Sequence, residues 1–283
     1  MSRSVVVTGA NSGIGLATTL LLAHSGYDVI GTVRSAAKAE SVVNAAERRR
    51  LAVRTVLCDV TDASATAAAF GKISKLTGGG PWAVVNNAGY AQAGAIEDVD
   101  DAHVRRQLET NLVAPARVAR LVLPGMRERG DGRIVNISSV AGRLSVPVMG
   151  WYCASKHGLE AMTDALRMEV APFGVRVSLV EPGSFGTAIW ADADYPSEPA
   201  TPEYGAAYAR GSGGTRAMSR FMPDPVWVAR TVLLALRSPV PLARYLVGVD
   251  AVGGTVAERL LPTFVSDKVK AVAAGLIRLP FRR

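Results

Sequence analysis

Tyr152 and Lys156 stand four residues apart. On a helix that spacing puts both side chains on one face, an ammonium beside a phenol. A free phenol titrates near pH ~10, and a neighbouring cation lowers such a value by roughly one to three units. The expected chemistry is acid–base, with Tyr152 giving and taking a proton near neutral pH. Ser139 precedes the pair. Far upstream lies the run Thr8-Gly9-Ala10-Asn11-Ser12-Gly13-Ile14-Gly15. Strand, glycine turn and helix present a helix N-terminus to a pyrophosphate. Gly9, Gly13 and Gly15 lack the side chains that would keep the backbone away from such a ligand.

These residues need a scaffold, and the chain alternates short β-branched runs with helix-like segments. The pattern predicts strands at Ser4–Thr8, Tyr27–Val33, Ala52–Cys58, Trp82–Asn86, Gly132–Ser138, Val175–Glu181 and Arg244–Gly248. Most are near-continuous apolar runs, as parallel strands covered on both faces require. Helices are predicted at Gly13–Ser25, Ala36–Arg49, Ala63–Leu76, Asp100–Arg129, Tyr152–Phe173 and Pro225–Leu236. Gly26, Gly130 and Gly174 follow three of them, where a C-cap glycine belongs. The fold class is α/β, a doubly wound parallel sheet. With no repeat and no clear linker, residues 1–283 read as one domain. Within it, 183–223 is an irregular substrate lid and 249–283 a helical extension.

The order of the motifs resembles the short-chain dehydrogenase/reductase family from about Val5 to Gly248. They are TGxxxGIG at Thr8–Gly15, NNAG at Asn86–Gly89, Asn111, Ser139, YxxxK at Tyr152–Lys156, and Pro182-Gly183. The resemblance implies a seven-stranded sheet in the order 3-2-1-4-5-6-7 and a nicotinamide dinucleotide. It implies Asn11, Ser12 and Ile14 over the pyrophosphate, and Asp59 with Val60 at the adenine. Asn87, Ala88 and Gly89 would lie along the cofactor, with Thr187 and Ile189 beside the carboxamide. Lys156 would hold the ribose, and Asn111 would anchor a water linking Lys156 to solvent. Ser138 and Ser139 compete to bind the substrate oxygen, and the family's spacing to the tyrosine selects Ser139.

NAD or NADP turns on the end of the second strand. An acid there binds the ribose hydroxyls of NAD. This chain has Val33 followed by Arg34 and Ser35. A guanidinium forks onto phosphate oxygens, so the expected cofactor is NADP(H), with Arg34 and Ser35 as contacts.

The composition sets the remaining bounds. Of 283 residues 49% are hydrophobic, enough for a substantial core. No uncharged apolar run reaches a membrane span. The N-terminus enters a strand pattern at once, with no room for a signal peptide, so a cytoplasmic protein is expected. The two cysteines, Cys58 and Cys153, read as buried thiols, and the three scattered histidines offer no metal site. The net charge of +8 does not imply nucleic acid. Its cations are spread along the chain, and Arg48-Arg49-Arg50 and Arg105-Arg106 read as solvated helix faces. GxSxG and GxxxxGK[ST] are both absent, which removes the serine-hydrolase and P-loop readings.

The expected substrate wall comprises Val140–Pro147, Met149–Trp151 and a lid carrying Phe185, Trp190, Tyr195, Tyr204 and Tyr208. Its apolar, aromatic character suits a lipophilic alcohol or ketone. The segments around Pro182 and Arg244 resemble the steroid- and retinol-dehydrogenase branch. Two alternatives stand beside this one. One is a catalytically silent cofactor-binding sensor. The other is a reductase of a carrier-bound ketoacyl chain, docked by Arg105, Arg106 or Arg129. The resemblance implies a homo-oligomer. In the extension, Val269, Val272, Ala273, Leu276 and Ile277 share a helical face. That face can pack on the domain, on a partner subunit or on an anionic membrane surface.

Overall fold

The computed structural model describes residues 3–186, 200–218 and 222–277. Its centre is a seven-stranded parallel sheet in the order β3-β2-β1-β4-β5-β6-β7. The strands are β1 (Ser4–Thr8), β2 (Asp28–Val33), β3 (Arg54–Leu57), β4 (Ala83–Asn86), β5 (Gly132–Ile137), β6 (Val175–Pro182) and β7 (Arg244–Val247). The predicted order holds, and the strand bounds differ only at their ends. Val5 pairs with Val29 on one side and Ala83 on the other, which fixes β1 at the centre.

The valines of β1 show why the sheet is covered twice. Val5 and Val7 join one apolar cluster with Leu22, Val228 and Val232. Val6 points the other way and joins Phe70, Ile73, Val118 and Val122. The first cluster belongs to helices α1 (Gly13–His24) and α8 (Val226–Arg237). The second belongs to α3 (Ala63–Thr77) and α5 (Ala114–Arg129). Alternate side chains of one strand therefore glue helices to opposite faces. The remaining first-half helices are α2 (Ala36–Glu47) and α4 (Asp101–Leu108). Gly130 and Gly174 take positive φ at their helix ends, and Gly26 does so one residue past its cap, as the sequence predicts.

Three segments depart from expectation. The single helix predicted over Asp100–Arg129 is interrupted by a π-helical turn at Glu109–Val113. Pro115 explains it, because it has no N–H to give the Asn111 carbonyl one α-helical step earlier. The segment read as an irregular lid contains α7 (Gly205–Met218). Its four glycines had hidden the helical pattern, because each carries a propensity penalty against helix. The extension forms α9 (Val249–Leu260) and α10 (Thr263–Ala274). Lys270 on α10 pairs with Glu258 on α9 at 2.7 Å, and Arg210 on α7 donates to the Val272 carbonyl. The helix thus docks on its own chain, while Val269, Leu276 and Ile277 of the predicted apolar face remain exposed. No helix among the described residues is long and apolar enough to cross a membrane.

Candidate active site

A cleft of about 480 Å³ opens at the carboxyl ends of the central strands, where the β1 and β4 connections diverge. Its floor is the glycine turn. Gly9 adopts φ +66°, and a Cβ on Gly15 would stand 2.2 Å from the Gly9 carbonyl oxygen. No side chain fits at either position. α1 starts at Gly13, and its N-cap, Ser12, makes no side-chain cap. The first amides of α1 are left for a ligand, which is the arrangement that binds a phosphate. Asn87 fixes the turn from β4, with Nδ2 donating to the Thr8 carbonyl at 2.9 Å and the Gly9 carbonyl at 3.2 Å. The Thr8 hydroxyl in turn accepts from the amides of Asn87 and Ala88. Gly9, Asn11, Ser12, Gly13, Ile14, Gly15, Asn87, Ala88 and Gly89 all line the cleft.

Arg34, at the end of β2, lines one limb of the cleft with Asp59 and Val60. Burial pushes the Asp59 carboxyl up. Hydrogen bonds from Thr61 and the charge of Arg34 outweigh that, and its pKa lies below the ordinary value. Ser35 does not line the cleft. Its hydroxyl caps α2, accepting from the Lys38 amide. Lys38, which the sequence reading passed over, lines the cleft beside Arg34. The signal was present, since a lysine in the first turn of that helix opposes the helix dipole. Two cations at this limb fit a phosphate ester and not a bare diol.

The catalytic candidates gather at the other limb. α6 (Gly150–Val170) carries Tyr152 and Lys156, both buried. Ser139 caps a 3-10 turn (Val140–Gly142), and its hydroxyl accepts from the Ala141 amide at 3.2 Å. That hydroxyl is also hydrogen-bonded to the Tyr152 phenol. Lys156 Nζ lies 5.8 Å from the centre of the Tyr152 ring and donates to the Ile137 carbonyl at 3.0 Å. Pro182 and Gly183 close the cleft from the end of β6. Thr187 and Ile189 lie outside the described residues, as do Trp190 and Tyr195 of the expected lid.

The electrostatics correct one expectation. The Tyr152 phenol is not lowered by Lys156. Burial pushes it up to about 12, against the opposing bond from Ser139. Lys156 is itself brought down to about 8 by burial, with Glu160 acting in the opposite sense. Desolvation outweighs the pair because neither group faces bulk water. Tyr152 therefore stays a neutral phenol at neutral pH, ready to donate.

Asn111 does not line the cleft. Its Oδ1 accepts from the Tyr90 amide, and its Nδ2 donates to the Tyr90 carbonyl and the Ser155 hydroxyl. A buried amide with every arm occupied shapes the chain after Gly89. Arg106, expected to be a solvated cation, lines the cleft and stacks 5.1 Å over the Tyr90 ring. Phe185 packs into the core at the foot of the cleft, and Tyr208 accepts from the Ala95 amide and donates to Asp98. Tyr152 is packed in a buried apolar cluster with Ala91, Ala93, Ala141, Met149 and Cys153, and none of these five lines the cleft itself.

Comparison with known proteins agrees with this geometry. A family profile described as "short chain dehydrogenase" matches residues 3–196. The NADPH-dependent 3-dehydrocapnine reductase of Ornithobacterium rhinotracheale is 33% identical over 273 residues, covering 94% of this chain and 95% of that one. Human retinol dehydrogenase 5 is 34% identical over 286 residues, covering 94% and 86%. Among solved structures, a short-chain dehydrogenase from Streptomyces avermitilis superposes with a TM-score of 0.79 at 33% identity, covering 96% of each chain.

Proposed function

This chain belongs to the short-chain dehydrogenase family of oxidoreductases, and on that premise we propose that it reduces a lipophilic ketone or aldehyde to its alcohol at the expense of NADPH. The observation that carries the reading is the Ser139–Tyr152 hydrogen bond, with Lys156 beside it, facing the same cleft as the glycine turn. NADP(H) is favoured by Arg34 together with Lys38, and the uncapped amides of α1 suit its pyrophosphate. The NADPH-dependent relative points the same way.

Bound in the cleft, the dinucleotide supplies the hydride that reduces the carbonyl carbon. Ser139 donates a hydrogen bond to the carbonyl oxygen and stabilises the charge that develops there. The Tyr152 O–H bond breaks, and its proton passes to that oxygen. Lys156, from the same face of α6, would hold the ribose of the bound cofactor and balance the tyrosinate left behind. Asn111 holds Tyr90 in place along the cleft, just after Gly89. The apolar cluster packed around Tyr152, with Ala91, Ala93, Ala141 and Met149, supports a lipophilic substrate at that end of the cleft. The human relative is named for a lipophilic alcohol, which is consistent with those surroundings. As part of the same proposal, the protein would work as a homo-oligomer, as the family resemblance implies.

The test is NADPH consumption over a panel of lipophilic ketones, aldehydes and short polar carbonyls. Turnover confined to the lipophilic members supports the proposal. Tight NADPH binding with no turnover on any member would favour the sensor reading instead.

A further inference from the structure

Behind the catalytic face of α6 lies a buried set of charges that the reaction above does not use. Tyr152, Lys156, Glu160 and Asp164 follow one another at four-residue spacing, so they form one stripe along the helix. Glu160 is buried, and its Oε2 accepts from Arg244 Nε of β7 at 3.0 Å. Arg244 also bridges to Glu181 at 3.3 Å and to Asp164. Glu181, fully buried at the end of β6, takes both arms of Arg143 at 3.1 Å. Arg143 follows the 3-10 turn that Ser139 caps. The network ties together the three elements that carry Ser139, Tyr152 with Lys156, and Pro182-Gly183.

Glu160 stands out within it. Only one of its oxygens is spent on a guanidinium. The other, Oε1, is buried with no hydrogen-bond partner in the protein. It lies against Gly142, where an added Cβ would come within 3.3 Å of Oε1 and 2.9 Å of the Glu160 side chain. Leaving a buried acceptor unpaired costs roughly 1–3 kcal/mol. An anchor for Arg244 alone would not need a carboxylate in that posture. What the posture does provide is a fixed negative charge one helical turn from Lys156. The charged and titratable groups packed about Lys156 are Tyr152 and Glu160 on its own helix. Beyond Glu160 come Glu181 of β6, Arg244 of β7 and Arg143 after the Ser139 turn, with Asp164 farther along α6.

Resting on the oxidoreductase reading of this site, we propose that Glu160 is a positioning residue: the buried counter-charge that keeps the Lys156 ammonium charged and in place beside Tyr152. Glu181 is balanced by Arg143, and Arg244, shared among Glu160, Glu181 and Asp164, holds Glu160 to the sheet. The direction of the Lys156 titration agrees, because Glu160 opposes the lowering that burial imposes.

Glu160→Gln tests this cleanly. The amide keeps an oxygen for Arg244, and its NH2 can reach toward Ser138 Oγ, which is buried and unpartnered beside Gly142. The fold is expected to survive, and thermal unfolding checks it. In [13C]lysine-labelled protein, NMR follows the Lys156 side chain, assigned by its loss in Lys156→Arg. Its midpoint is expected to fall by about one pH unit in Glu160→Gln. The alkaline limb of kcat/KM for NADPH oxidation shifts the same way. Asp164→Asn removes another partner of Arg244 but leaves the charge beside Lys156, and should leave the midpoint in place. An unmoved midpoint in Glu160→Gln, or an equal fall in Asp164→Asn, overturns the proposal. A clear midpoint shift in a protein that never oxidises NADPH would uphold the electrostatic role and sink the oxidoreductase reading alone.

Discussion

Ser139 and Tyr152 are hydrogen-bonded hydroxyl to hydroxyl, although one follows the end of β5 and the other opens α6. The 3-10 turn at Val140–Gly142 sets that meeting, since Ser139 caps it and its hydroxyl also reaches the Pro182 carbonyl at 3.5 Å. A carbonyl oxygen placed at these two hydroxyls receives a hydrogen bond from one and a proton from the other.

The two adjacent serines should therefore separate in function. Ser139→Ala is expected to lower kcat on the order of a hundredfold, the loss of one donor to a developing oxyanion. Ser138 Oγ is turned toward Gly142 and Glu160, so Ser138→Ala should stay within a few-fold of wild type. Steady-state kinetics on the two variants decide it, and equal losses would contradict the assignment.

Cofactor choice should follow the cations of the β2 limb. Arg34→Asp, and more so Arg34→Asp with Lys38→Glu, should weaken NADPH far more than NADH. The ratio of kcat/KM values for the two cofactors is expected to fall by about a hundredfold or more. Wild-type preference for NADPH should also decline with added salt, since the cleft is open and such contacts are screened.

Gly15 gives a backbone test. A Cβ there meets the Gly9 carbonyl at 2.2 Å and Asn87 Nδ2 at 2.5 Å. Gly15→Ala is expected to abolish NADPH binding and to lower the melting temperature, because the glycine turn and its Asn87 tether must both shift. Fluorescence titration and thermal unfolding report the two effects.

Lys156 carries a pH signature. Its folded-state pKa, about 8, lies below the ordinary lysine value of 10.5. Such a depressed value means the unfolded chain holds more protons between those limits. Stability therefore rises with pH across that window and is complete above it. Compared with Lys156→Met, wild type should gain on the order of 3 kcal/mol between pH 8 and 10.5, since each unit is about 1.36 kcal/mol. Urea unfolding of both proteins at several pH values measures the difference. Parallel curves would show that Lys156 titrates normally.

The sheet was legible because its strands are continuous apolar runs, and Val5 to Val7 had to be covered on both faces. The glycine turn and the Tyr152–Lys156 stripe were legible because both depend on local spacing. What stayed hidden depends on distant partners. Nothing in the run Ile30–Ser35 announces that Ser35 turns away from the cleft to cap α2. The upward shift of Tyr152, opposite to the expected one, and the downward shift of Lys156 come from burial, which spacing does not encode. The break at Glu109–Val113 was written in Pro115 and could have been read there.

The central claim is that Tyr152 supplies the proton, and Tyr152→Phe measures it most directly. The ring keeps its shape and loses only the hydroxyl. With a lipophilic ketone that wild type reduces, the account predicts NADPH affinity within about twofold of wild type and kcat lower by at least roughly 10²–10⁴. A Tyr152→Phe protein that still turns over within tenfold of wild type would contradict it.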